Sequence, residues 1–160
     1  MSYKRNFNNG TVVFGSSGGC TSNTQLNFPL ALYIDLFSNS LVIANFACHN
    51  IVRYEFNSST SSLVAGNIMG SSGSDSTHFN EVVDMTFDPM GNMYVCDRLN
   101  RRIQFFYLNQ TNGSTIAGIT GVLGSNSTTF NWPYAVRLDS QLNMYVVDAR
   151  NHRIQKFMRY

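Results

Sequence analysis

The chain has 160 residues, of which 43% are hydrophobic and 13% aromatic, and this composition predicts a folded core rather than disorder. Only 12% of the residues are charged and the net charge is +2, so charge gives no general argument for binding nucleic acid or an anionic membrane. No apolar stretch approaches the roughly 20 residues that span a bilayer, and residues 1–10 lack the apolar core of a secretory signal. We therefore expect no membrane insertion.

An internal repeat organises the chain. Asn-Met-Tyr-Val-Cys-Asp at residues 92–97 recurs as Asn-Met-Tyr-Val-Val-Asp at residues 143–148, which is 51 positions later. The same shift places residues 100–104 on residues 151–155, and a weaker copy of the pattern lies at residues 41–45. The sequence thus predicts one segment over residues 1–160, with repeats at approximately 10–57, 61–108 and 113–160.

Each repeat has the hydrophobic pattern of four antiparallel strands. At the amino end, Thr11–Phe14 has the pattern of the last strand of a repeat. Each full copy then has an alternating strand, a nearly continuous apolar strand such as Met144–Val147, a third strand, and a fourth such as Thr115–Ala117. No segment has a 3.6-residue period over ten positions, so helices should be absent or trivial. The alternation predicts that one set of first-strand residues points inward: Leu30, Leu32, Ile34, Val83, Met85, Phe87, Tyr134, Val136 and Leu138.

Four strands in about fifty residues, joined by glycine-rich segments, are typical of a propeller blade. The motif Tyr-Val-x-Asp-x-x-Asn-x-Arg-Ile-Gln, at residues 94–104 and 145–155, resembles the NHL repeat. The resemblance implies an all-β fold: an NHL-type β-propeller of three four-stranded antiparallel blades, an incomplete ring equal to half of a six-bladed propeller. The first copy departs from the motif, with Asn45 in place of the aspartate and Asn50 in place of the arginine.

The charged residues of the motif are predicted to be structural. A carboxylate at a tight turn can accept backbone N–H bonds, and an arginine on the next strand can pair with it. We therefore expect loss of Asp97 to impair folding before function. A structural role is assigned to Asp97, Asn100, Arg102, Asp148, Asn151 and Arg153.

No catalytic, metal or cofactor site is predicted. The glycines at 118, 121 and 124 are spaced G-x-x-G-x-x-G, which differs from the dinucleotide fingerprint, and no helix follows them. His49 and His152 occupy equivalent turn positions, but Arg101 takes that position in the second repeat, which argues against a zinc site.

The cysteines and the glycosylation motifs bear on compartment. Cys20, Cys48 and Cys96 are an odd number without metal-type spacing, so no closed disulfide framework is expected, and Cys96 is expected to be a buried thiol. Five Asn-x-Ser/Thr motifs give a weak indication of an extracellular location, and the location is otherwise open.

The resemblance implies a non-catalytic binding scaffold, a protein–protein interaction module. The turns between second and third strands share one rim with the joints between blades, because antiparallel strands alternate in direction. The candidate partner-binding residues on these turns are Arg98, Arg101, Arg150 and His152. Single-stranded RNA binding is the alternative, and a propeller lyase or hydrolase is a weaker one.

Three blades cannot close a ring, since propellers typically have four to eight. We therefore expect either that the chain is part of a longer propeller or that a homodimer supplies six blades. An isolated arc of three blades would expose two apolar faces.

Overall fold

The computed structural model describes residues 9–15 and 18–159, which form three antiparallel sheets. The first sheet has strands β1 (Pro29–Asp35), β2 (Ser40–Asn45), β3 (Asn50–Glu55) and β4 (Ser61–Gly66). The second has strands β5 (Val82–Phe87), β6 (Met93–Asp97), β7 (Arg102–Phe106) and β8 (Ser114–Gly118). The third has strands β9 (Pro133–Leu138), β10 (Met144–Asp148) and β11 (Arg153–Phe157). Single 3₁₀ turns lie at Phe46–Cys48 and Ala149–Asn151.

The predicted all-β, blade-like architecture is confirmed, because in every sheet each strand pairs with its neighbour in the chain. The sheets formed by residues 9–15 and 18–159 do not close into a ring. Within the described residues the third sheet has three strands rather than four. In that same part of the chain no helix is long and apolar enough to cross a bilayer.

Aspartates close the turns between first and second strands. The Asp88 carboxylate accepts the backbone N–H of Met90 at 2.9 Å and that of Asn92 at 3.0 Å. In the third sheet the Asp139 carboxylate accepts the N–H groups two and four residues further on, at 3.0 and 2.9 Å. These bonds, led by the side-chain bond from Asn143, lower the pKa of Asp139. The chain reverses at these aspartates because a carboxylate satisfies several turn N–H groups at once.

Two apolar cores hold the three sheets together face to face. The first lies between the first and second sheets, and the second lies between the second and third. Asp84 adds a polar link to the second interface: its carboxylate accepts the Val136 N–H at 2.8 Å and pairs with Arg137. The buried side chains of the first core include Val42, Ile51, Phe79, Met85, Val95 and Phe106. Those of the second include Cys96, Ile103, Phe130, Val136, Met144 and Val146.

The prediction that Leu30, Leu32 and Ile34 of β1 point inward is wrong. Met85 and Val136 are buried as predicted, but the equivalent Leu32 is 64% exposed and Ile34 is 52% exposed. The reason is positional: this face of the first sheet points away from the second sheet, and no other sheet of the described chain covers it.

The segment Thr11–Phe14, which was predicted to be a strand, does not form one. It pairs with no strand within the described residues, because it lies against a face of the first sheet and not along a strand edge. Phe14 stacks on Tyr54 of β3, with the ring centroids 4.7 Å apart. The segment therefore contacts the outward face of the first sheet.

The expectation that the chain has no closed disulfide framework needs correction, because two of its three cysteines are paired. Cys20 and Cys48 are joined by a disulfide, with their Cα atoms 5.2 Å apart. The odd count misled because the third cysteine, Cys96, is fully buried in the second core and remains a free thiol. Burial raises the pKa of that Cys96 thiol.

Candidate binding rim

The turns between second and third strands form one edge of the molecule, together with the segments that enter each sheet. We call this edge the turn rim, and it comprises residues 27–28, 46–49, 80–81, 98–101, 131–132 and 149–152. Each turn ends in a left-handed residue: His49 at φ 51°, Arg101 at φ 56° and His152 at φ 54°. Backbone bonds tie each turn to its entry segment, as when the Arg98 N–H donates to the Glu81 carbonyl at 3.1 Å.

A buried ion pair anchors the rim in the second sheet. The Asp97 carboxylate, fully buried, accepts the Asn80 backbone N–H at 2.7 Å, Asn100 Nδ2 at 2.8 Å and Arg102 Nε at 2.8 Å. The remaining guanidinium nitrogens of Arg102 donate to three backbone carbonyls of the loop before β5. All of these contacts lie inside the fold, so this group positions the turn and leaves no donor free for a ligand.

The third sheet repeats the arrangement with a more exposed arginine. Asp148 accepts the Asn131 N–H at 2.7 Å, Asn151 Nδ2 at 2.7 Å and Arg153 Nε at 2.8 Å. The Arg153 side chain is 29% exposed, against 4% for Arg102. The geometry of the motif is therefore the same in both copies, while its burial differs.

The first sheet builds the same turn from amides. Asn45 Oδ1 accepts the Asn27 N–H at 2.7 Å, as the aspartates do in the other copies. Asn50 Nδ2 donates to the Asn67 carbonyl at 3.0 Å, while its buried Oδ1 has no partner among the described residues. The amides keep the backbone contacts of the turn and lose the ion pair.

Aromatic rings and guanidinium groups contact one another in series across the three sheets on the turn rim, and we call this series the rim ladder. The guanidinium carbon of Arg98 lies 5.0 Å from the Phe46 ring centroid and 4.7 Å from that of Trp132. The guanidinium carbon of Arg150 lies 3.3 Å from the Trp132 centroid, and the Phe28 and Phe46 rings are 5.8 Å apart. The ladder holds side chains of all three sheets against one another.

The predicted partner-binding residues have different surroundings. Arg98 is only 15% exposed, and its Nε and one terminal guanidinium nitrogen donate to Glu81. Arg101 is half-buried and donates to the Leu99 and Gly121 carbonyls at 3.2 and 3.1 Å. Arg150 and His152 are exposed. The guanidinium of Arg150 has no hydrogen-bond or ion-pair partner among the described residues.

His49 contributes a contact that depends on its charge. Its Nδ1 accepts the backbone N–H of Glu81 at 2.9 Å, which joins the first turn to the second sheet. Only a neutral imidazole can accept this bond. Burial lowers the pKa of His49, which favours that neutral form.

Reasoning from the sequence missed the aromatic half of the rim ladder. Phe28, Glu81 and Trp132 occupy the same entry position of successive repeats, and all three have positive φ, between 55° and 65°. Their alignment next to the turns was a usable signal, because each entry segment is hydrogen-bonded to a turn. The sequence could not show that the arginines stack on these rings.

A cleft of about 410 Å³ lies at the opposite edge between the first and second sheets and contains none of the predicted partner-binding residues. Its arginine, Arg53, is already paired with Asp35 at 3.2 Å. Within residues 9–15 and 18–159, no three His, Cys, Asp or Glu side chains converge as metal ligands do.

Residues 130–157 match the family model described as NHL repeat, and the resemblance predicted from the sequence is confirmed. The match covers the entry segment, the motif turn and all three strands of the third sheet. No curated protein sequence matches the chain.

Three solved structures illustrate the likeness of fold. A structural genomics protein of unknown function from Bacteroides thetaiotaomicron is 19% identical with a TM-score of 0.74, over 91% of this chain and 38% of that one. An auxiliary nutrient binding protein from the same organism is 21% identical with a TM-score of 0.64, over 78% and 36%. A streptogramin B lyase is 11% identical with a TM-score of 0.53, over 80% and 36%. The chain spans little more than a third of each, and at these identities the likeness establishes the fold alone.

Proposed function

We propose that this chain, an NHL-repeat β-propeller segment, is a non-catalytic scaffold that binds a protein partner through its turn rim. The observation that carries the proposal is the environment of the Arg150 guanidinium. Its guanidinium is stacked on Trp132 and exposed, and its N–H donors have no partner among the described residues. A guanidinium held flat by stacking is oriented for bidentate bonds to a carboxylate.

An acidic peptide segment is the partner chemistry that fits this surface best. Arg150 and His152 lie together on the third turn, and both side chains are exposed. Arg98 and Arg101 contribute positive charge from the neighbouring turn, although each also donates hydrogen bonds inside the fold. A carboxylate of a partner would find its hydrogen-bond donors at Arg150 and a favourable potential from the others.

Single-stranded RNA is the alternative, and the rim ladder disfavours it. Proteins of that kind stack bases on open aromatic faces beside a basic groove. The Trp132 ring already contacts two guanidinium groups. The Phe46 ring contacts the Phe28 ring as well as the Arg98 guanidinium. The net charge of +2 also gives little general attraction for a phosphate backbone.

The absence of catalysis is part of the proposal. One structural neighbour is described as a nutrient binding protein, which favours binding, and another is described as a lyase. The charged residues of the repeat motif pair with one another inside the fold, Arg102 with Asp97 and Arg153 with Asp148.

The test is selection of random peptides on the purified chain, with an equal selection from a random single-stranded RNA pool. We expect Asp/Glu-rich peptides whose affinity falls about tenfold in Arg150→Ala. Arg159→Ala, which removes an exposed arginine away from the turn rim, is the matched control and should bind as the wild type does. Selection of RNA with affinity that falls steeply with salt, or of peptides indifferent to Arg150→Ala, would overturn the proposal.

A further inference from the structure

The three sheets stand in a row. The two outer faces of this row carry residue positions equivalent to those that pack between neighbouring sheets inside it. In the third sheet, Phe130, Val136, Met144 and Val146 pack on the second sheet. The equivalent positions in the first copy form a face that no sheet of the described residues covers, which we call the back face: Leu26, Leu32, Leu41 and Ile43.

The opposite surface, on the third sheet, we call the front face. In the second sheet, Cys96 and Ile103 pack on the third sheet. Their equivalents, Val147 and Ile154, lie on the front face, where Ile154 is 61% exposed. The front face therefore carries the positions with which one sheet packs on the next sheet of the chain. The back face carries the positions with which a sheet packs on the one before it.

The segment Thr11–Gly15 has the features of a fourth strand. The fourth strands β4 and β8 end in Ala-Gly, at Gly66 with φ 89° and at Gly118 with φ 82°. Gly15 follows Phe14 and has φ 103°. Because Phe14 stacks on Tyr54, the segment contacts the back face, as the outer strand of a preceding blade would.

The edge that such a strand would join is also present. Among residues 9–15 and 18–159, strand β11 pairs with β10 on one side and with no strand on the other, so the backbone groups of that edge have no strand partner there. In the first two sheets the corresponding edges of β3 and β7 are covered by β4 and β8.

We propose that a second copy of this chain completes the ring. The front face of each copy packs on the back face of the other, and Thr11–Phe14 of each copy pairs with β11 of the other as its fourth strand. Two such contacts, related by a two-fold axis, close a ring of six four-stranded blades and cover the front and back faces of both copies. The pairing of Ile103 with Ala117 and of Phe105 with Ser114 sets the register. By equivalence, Ile154 lies opposite Phe14 of the second copy, and Lys156 lies opposite Thr11.

Light scattering on the purified chain is the first measurement. We expect one species with twice the 17.9 kDa chain mass, unchanged over a wide range of concentration. A folded monomer at all concentrations would overturn the proposal. A mass that keeps rising with concentration would overturn it too, since it would indicate open head-to-tail growth.

A substitution on the front face tests the contact surface. Ile154→Asp should raise the dimer dissociation constant about 100-fold or more, because a carboxylate would be buried among apolar groups. The exposed Ile154 side chain makes little contact within one chain, so circular dichroism should show that the variant folds. Phe37→Asp is the matched control, since Phe37 is fully exposed in the turn after β1, and it should leave the dimer intact. Equal effects of the two variants would contradict the proposed face.

A covalent link tests the strand pairing. Thr11→Cys combined with Lys156→Cys should give an oxidised dimer on a denaturing gel, because both side chains are exposed and the register places them opposite each other. Neither single variant should form it. Absence of the link in a chain that is dimeric by light scattering would refute the strand exchange.

Discussion

Cys20 and Cys48 are joined by a disulfide at the two positions that the other repeats join by a hydrogen bond. In the second copy, Asn100 Nδ2 donates to the Gly73 carbonyl at 2.7 Å. In the third copy, the equivalent bond runs from Asn151 to Gly124 at 2.8 Å. The first copy therefore holds its entry loop to its turn by a covalent bond, in the repeat that has also lost the charged pair.

Reduction of this disulfide should destabilise the chain. Closing a loop of this length contributes about 3 kcal/mol, and we expect a loss of that size in urea unfolding with a reductant present. Cys96→Val is the control, because Cys96 is a free thiol and valine stands at its position in the third copy; it should keep the response to reductant. The pair Cys20→Gly and Cys48→Asn, which rebuilds the hydrogen bond of the other repeats, should be insensitive to reductant and more stable than the reduced wild type.

Asp97→Ala should destabilise the fold more than Asp148→Ala. Removing Asp97 leaves Arg102 charged and 4% exposed, whereas Arg153 is 29% exposed and can gain water. We expect a cost of about 3 to 5 kcal/mol for Asp97→Ala, measured by urea unfolding. The double variant Asp97→Asn with Arg102→Asn copies the first repeat and should recover part of the loss. Equal costs for the two aspartates would contradict the role given to burial.

Arg150→Ala should change the fluorescence of the protein. Trp132 is the single tryptophan of the chain, and the Arg150 guanidinium lies 3.3 Å from its ring centroid. We expect greater quenching by iodide, because one guanidinium leaves the ring, and a stability loss of about 0.5 to 1 kcal/mol. Arg159→Ala, the control, should leave the emission unchanged. An emission insensitive to Arg150→Ala would rule out the stack in solution.

Acidification should weaken the contact between the first turn and the second sheet. His49 has a lowered pKa in the folded state, so the unfolded chain takes up protons first as the pH falls below its ordinary value of 6.5. The contribution is fully present above that pH and is lost as the pH falls toward the folded pKa. Thermal unfolding should show a smaller loss between pH 7.5 and 5.5 in His49→Asn than in the wild type. The same loss in both proteins would argue against His49 as the group responsible.

The strand pattern was accessible to sequence reasoning because its causes are local. The motif that recurs at residues 92–97 and 143–148 places apolar residues at strand spacing, and Asp88 and Asp139 bond the turns that follow their own strands. The NHL resemblance depended on the same residues. The disulfide was missed because Cys20 and Cys48 come together only when the entry loop folds onto the turn.

What the sequence by itself determined is the repeat: its four-strand pattern, its turns, and the pairing of aspartate with arginine across neighbouring strands. These follow from side-chain periodicity and from hydrogen bonds between residues close in the chain. Only the tertiary structure decided which equivalent residues are covered. Val136 is buried while Leu32 is exposed, because one faces another sheet and the other does not. The stacking of Arg150 on Trp132 was likewise decided there, since it depends on how the third turn meets its own entry segment.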